Sequence, residues 1–119
     1  MVSPITRIAF DCANAALLAD FWVAVTGYTK VTASEEYAFV VHPDKVGPAL
    51  MFNKVPEGKV VKNRVHIEVD TNDLETEVRR IEALGASRQA YHHSEEFNAE
   101  WTVMTDPEGN EFCVVKIGL

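Results

Sequence analysis

The chain is short of positive charge. Eleven Lys and Arg stand against 18 Asp and Glu, giving a formal net charge of −7 over 119 residues. Phosphate backbones are held by basic patches, so nucleic acid is excluded as a partner. The acidic balance favours a cationic or neutral small molecule and helps solubility. Cysteine is scarce too: Cys12 and Cys113 form neither a CxxC nor a disulfide-scaffold spacing. Both sit in apolar strand-like runs, the setting of buried free thiols in a reducing cytoplasm. No apolar stretch approaches the ~18 residues of a membrane span. Met1–Phe10 has no basic region leading into an apolar run, so no secretory signal is expected. A phosphate-cradling glycine loop and a Ser-His-Asp order are also missing. What remains is a cytoplasmic globular protein with no membrane partner. Its apolar content of 47 % suffices for a core, and one domain over residues 1–119 is expected.

That domain is written twice. Arg7-Ile8-Ala9-Phe10-Asp11-Cys12 opens one copy, and Arg64-Val65-His66-Ile67-Glu68-Val69 opens another at an offset of 57 (64 − 7). Gly47 to Val55 closes the first copy and Gly109 to Ile117 the second, which aligns His66 with Ala9 and Glu111 with Ala49. A strand over 5–12 leads to a helix over 15–25, capped by Asn14 and stopped by Gly27, with Leu17, Leu18, Phe21, Trp22 and Val25 on its buried face. Strands are expected over 28–33, 37–42 and 49–55. Residues 56–62 read as a polar linker between module 1, about 5–55, and module 2, about 63–118. In module 2 a strand over 64–69 leads to a helix begun by Asn72 with Glu75 as a capping box. Leu74, Val78, Ile81 and Leu84 form its face, and Gly85 ends it. Strands near 88–92, 101–105 and 111–117 follow. The fold class is α+β: two tandem βαβββ modules, their sheets curled around one cleft with the helices outside.

Alternation along strands sorts the side chains by face. Val65, Ile67 and Val69 should meet the module 2 helix, as Ile8, Phe10 and Cys12 meet that of module 1. The opposite face then collects His66, Glu68, Glu111, Asp11, Asn53, Met51 and Cys113. That set is too polar for a plain core and reads as a cavity wall.

The repeat resembles the vicinal oxygen chelate superfamily, the glyoxalase, bleomycin-resistance and extradiol-dioxygenase group, in its small glyoxalase-like branch. The likeness is carried by Phe10-Asp11-Cys12-Ala13 with Phe21-Trp22, by Asn63-Arg64-Val65-His66, and by the run from Trp101 to Val114 that includes Pro107-Glu108-Gly109-Asn110-Glu111-Phe112. It covers nearly the whole chain. Metal enzymes of this group carry ligands on the first and last strands of each module. His66 and Glu111 match that pattern, whereas Ala9 and Ala49 depart from it and cannot bind metal. Asp11 or Glu68 could substitute. Relatives often pair modules across chains, so a homodimer is expected.

Each candidate has a plainer reading. A strand histidine is ordinarily a satisfied polar residue, but His66 shares its predicted face with carboxylates, and neutral imidazole serves as ligand or base. Glu111 follows a turn and could simply brace it. Asp11 and Glu68 could cap the helices that follow. His92-His93 looks like a metal pair, yet adjacent strand residues point to opposite faces, so at most one can face a cavity. His42 belongs to a turn surface. Trp101 serves either core packing or ligand stacking. Cys113 has no basic neighbour in sequence to activate it. The expected function is binding of an apolar or cationic small molecule in a cleft, in a resistance or sequestration role, through Asp11, Met51, Asn53, Glu68, Trp101 and Cys113. The alternative is a metal-dependent lyase or isomerase using His66 and Glu111 as catalytic residues and ligands of a weakly bound divalent metal.

Overall fold

The computed structural model describes residues 1–118; the expected domain end, Leu119, lies outside them. The chain divides into two compact units, Met1–Gly58 and the remainder from Lys59. The first unit runs β1 (Arg7–Cys12), α1 (Ala15–Thr26), β2 (Thr29–Ala33), β3 (Tyr37–Val41) and β4 (Ala49–Lys54). The second runs β5 (Ile67–Asp70), α2 (Leu74–Ala83), β6 (Ser87–Ser94), β7 (Ala99–Thr105) and β8 (Glu111–Ile117). Each makes one four-stranded sheet, ordered β1-β4-β3-β2 and β5-β8-β7-β6. In both, the opening strand pairs parallel to the closing one and the other pairings are antiparallel. The two βαβββ units expected from the repeat are therefore present. No helix among the described residues is long and apolar enough to cross a membrane.

Each helix packs on one face of its own sheet. In the first unit Leu18, Phe21, Trp22 and Val25 are buried as expected, together with Ala15 and Ala19. Leu17 departs from expectation at 66 % exposed. The buried stripe runs through Ala15, Leu18, Ala19 and Trp22 at i, i+3, i+4 and i+7, which leaves Leu17 on the other side of the helix. Phe10 of β1 lies 5.5 Å from the Trp22 ring and 5.0 Å from the Phe52 ring. Asn14 accepts the Leu17 N–H at 3.1 Å, and Gly27 stops the helix at φ 76°, a left-handed conformation that costs glycine little.

In the second unit Leu74, Val78 and Ile81 are buried. The cap is Asp73 rather than Asn72: its carboxylate accepts the Thr76 N–H at 3.2 Å. Leu84 is the C-cap and is 37 % exposed, so it lies outside the buried face.

The opening strand of the second unit is the main correction. It begins at Ile67, not at Arg64, and Val65 is 82 % exposed instead of facing the helix. The repeat offset also changes. The caps Asn14 and Asp73 are 59 apart (73 − 14), and the buried pairs Ala15/Leu74, Ala19/Val78 and Trp22/Ile81 keep that spacing. The turn glycines Gly47 (φ 78°) and Gly109 (φ 87°) confirm the expected match of Ala49 to Glu111. With that match, the Phe10–Phe52 pair corresponds to Val69–Val114, again 59 apart on the opening strands. His66 therefore matches Arg7, not Ala9. A two-residue slip leaves every side chain on its original face, so alternation alone could not reveal it.

Candidate functional site

Strand register divides the second sheet into two faces. Arg88 pairs with Met104, and Met104 with Phe112. Arg88 also bridges Glu75 and Glu82 of α2, with contacts down to 2.8 Å. That is the helix face, and Phe112, Met104 and Val114 are buried on it. On the opposite face Glu68 pairs with Cys113, Asp70 with Val115, Val115 with Trp101 and Trp101 with His92. Glu111, two residues before Cys113, shares that face. The face of this sheet away from α2 thus carries Glu68, Asp70, Glu111, Cys113, Trp101 and His92, with Cys113 and Val115 buried on it. The Trp101 and His92 rings stack at 5.6 Å and 27°. His93 is on the helix side, where it stacks with Tyr91 at 6.2 Å.

The first sheet holds the other candidates. Asp11 pairs with Asn53 and Ala9 with Met51, on the face opposite Phe10 and Phe52. Asp11 is exposed, whereas Met51 and Asn53 are half-buried. His42 belongs to a turn, where its Nδ1 accepts the Asp44 N–H at 3.0 Å and its ring meets Tyr28 at 5.6 Å.

His66 is exposed and immediately precedes β5. The β5–β8 ladder begins at Ile67–Phe112, so His66 and Glu111 each stand one residue before the same pair. In the first unit their counterparts, Arg7 and Ala49, are the first partners of β1 and β4. A tight turn sets Glu111 in place. Asp106 is 3 % exposed, and its Oδ1 accepts the Glu108 and Asn110 N–H groups at 2.9 and 3.0 Å. Its Oδ2 accepts the Asn110 amide at 2.9 Å.

The Glu111 carboxylate has partners that alternation did not reveal. Oε1 accepts the Asn63 backbone N–H at 2.9 Å, and the Lys59 ammonium lies 3.0 Å from Oε1 and 3.2 Å from Oε2. Lys59 also donates to the Val61 carbonyl at 2.7 Å, and the Asn63 side-chain amide donates to the Glu111 carbonyl at 3.4 Å. The Asn63 N–H, aided by Lys59 and opposed by partial burial, holds the Glu111 carboxyl down at about 2. Cys113 moves the other way. Burial pushes its thiol up, Glu68 adds to the effect, and Lys62 opposes it, so the group lacks the depressed pKa of a nucleophile.

The donor set does not fit a metal centre. Among the described residues no three His, Cys, Asp or Glu side chains gather as an ion would require. Catalytic zinc ordinarily takes three protein ligands, and Glu111 already has an ammonium and an N–H. A separate groove of about 330 Å³ runs beside α2 and is lined by Leu74, Glu75, Arg88, Tyr91 and Thr102 among others. None of the candidate residues lines it.

Two βαβββ units in tandem are the architecture of the vicinal oxygen chelate class. The chain belongs to the glyoxalase-like domain family, which matches residues 7–115. No curated protein matches its sequence. Similar solved structures include a glyoxalase/bleomycin resistance protein/dioxygenase family enzyme from Burkholderia phytofirmans, at 16 % identity and TM-score 0.78 over 97 % of this chain and 99 % of that one. The fosfomycin resistance protein FosX from Listeria monocytogenes is similar at 13 % identity and TM-score 0.78, over 100 % and 97 %. A mutant of that protein has been solved with Mn(II) and a dihydroxypropylphosphonic acid. A lactoylglutathione lyase from Agrobacterium tumefaciens is similar at 17 % identity and TM-score 0.68, over 98 % and 95 %.

Proposed function

We propose that this chain is a cytoplasmic small-molecule-binding member of the glyoxalase-like family, acting as a homodimer, with both units forming one functional domain. Its ligand is a cation with apolar surface. One observation carries the reading: the face of the second sheet away from α2 carries the carboxylates Glu68 and Asp70 together with the stacked Trp101 and His92 rings. Carboxylates favour a cation, and the aromatic face attracts cations and apolar groups alike. Asp11, Met51 and Asn53 give the first sheet a similar mixed surface. The net charge of −7 works in the same direction. A resistance or sequestration role is in keeping with the fosfomycin-resistance neighbour. Metal, where bound through His66 and Glu111, is weak and substoichiometric. The lyase or isomerase alternative draws on the Mn(II)-bound neighbour, but the donor set opposes it.

Trp101 is half-buried while Trp22 is fully buried, so fluorescence quenching reports on Trp101. The test uses two probes of matched shape and opposite charge, tetraphenylphosphonium and tetraphenylborate. The cation should quench saturably and the anion should not. Trp101→Phe should abolish the signal, and His66→Ala should weaken binding while barely moving the melting temperature. Equal quenching by both probes, or preference for the anion, refutes the reading.

A further inference from the structure

We infer that Lys59 is a built-in counter-cation that keeps divalent metal off Glu111 and latches residues 59–63 to the start of β8. The donor set of this chain disagrees with a metal centre, and Lys59 supplies a physical reason. Its ammonium sits within 3.2 Å of both carboxylate oxygens, where an incoming ion would have to bind. The Lys59 and Glu111 side chains are 24 % and 17 % exposed, so the contact is partly shielded from solvent. Lys59 is fixed from a second side by the Val61 carbonyl at 2.7 Å. The carboxylate is fixed in turn by the Asn63 N–H at 2.9 Å. An ion taking Glu111 must therefore break two charge-assisted contacts and release the segment that carries them. With the ammonium gone, the carboxylate keeps its charge but loses its competitor. Lys59 thus determines which cations the position accepts.

The inference does not require the ligand proposed above, and its test is separate. Mn(II) binding is followed by electron paramagnetic resonance in the wild type, Lys59→Gln, Lys59→Arg and the Lys59→Gln/Glu111→Gln double variant. Removing one positive charge at contact distance should tighten Mn(II) binding about tenfold or more in Lys59→Gln. Lys59→Arg should bind like the wild type, and the double variant should lose the gain. If Lys59→Gln does not fold, Lys59→Met preserves the stem and takes its place. Hydrogen exchange reads the latch: the Asn63 amide should exchange faster in Glu111→Gln. A gain below threefold on removing the ammonium, or a gain that survives loss of Glu111, overturns the inference. Loss of the tetraphenylphosphonium preference would instead count against the ligand reading alone.

Discussion

Glu111 shows how one carboxylate ties local chemistry to stability. Its pKa falls from the ordinary 4.5 to about 2 because the folded chain supplies an N–H and an ammonium to the ionised form. A group whose folded pKa is depressed contributes stability that is full above its unfolded pKa and is lost as pH falls through the folded one. The contribution of Glu111 is thus complete above about pH 4.5 and fades toward pH 2. Glu111→Gln should lower the stability by about 1.5–3 kcal/mol at pH 7, the range of a hydrogen bond to a charged group. Urea titrations of wild type and variant should converge as the pH approaches 2. A gap that persists there would show that the loss comes from packing and not from charge. The neighbours of this residue were only half visible in the sequence. That His66 and Glu111 each stand one residue before the Ile67–Phe112 pair follows from the repeat, since opening and closing strands pair in both units. Lys59 and Asn63 lie 52 and 48 residues from Glu111. Lys59 belongs to a linker with no periodic pattern and Asn63 stands just past its end, so no rule of alternation connects them to it. Asn63 stands inside the segment that carries the family resemblance, and that was its only signal.

Helices and strands were legible in type and order because apolar period and turn chemistry agree along most of the chain. Where they failed, two local signals competed. Asn72 with Glu75 makes a plausible capping box, but the helix starts one residue later on Asp73, whose side chain reaches Thr76 N–H. Thr71 is still tied to the sheet at that point, its N–H donating to the Val115 carbonyl at 2.8 Å. The backbone is still extended at Asp73, at φ −141° and ψ 97°, so the chain runs on past the first possible cap. Asp73→Ala should cost about 1 kcal/mol, the usual loss of an N-cap. Asn72→Ala should stay within about 0.5 kcal/mol, as for a surface change away from any cap or core. Chemical denaturation of the two variants decides between the caps, and the reverse ranking would move the helix start back to Asn72. The start of β5 failed for a related reason. Arg64-Val65 imitates Arg7-Ile8 in residue type, yet the first paired residue is Ile67. Matching letters outweighed register because a slip of two preserves the in–out pattern.

At the scale of the whole molecule, exposed apolar surface is the feature still to be accounted for. Val60, Val61 and Val65 are 93, 73 and 82 % exposed in one short stretch beside the Lys59–Glu111 contact, and apolar patches of this kind mark surfaces that a partner covers. The sheet edges are less inviting. β2 and β6 are exposed along nearly their whole length, but each carries a register break, at Lys30/Thr32 and at Arg88/Ala90. Lys30 pairs with Asp20 and Arg88 with Glu75 and Glu82. Bulges and charge are how proteins blunt an edge against strand addition. A second copy should therefore dock on the valine-bearing segment and leave β2 and β6 free. Light scattering at micromolar concentration should give twice the 13.3 kDa chain mass. Val60→Lys/Val61→Lys should shift it toward monomer without lowering the content of secondary structure, because both side chains already face solvent within the single chain. In the wild-type assembly, the amides of β6 that face away from β7 should exchange quickly. A monomeric wild type would refute the dimer, and strong protection along the outer edge of β6 would show assembly through the sheet edge instead of the valines.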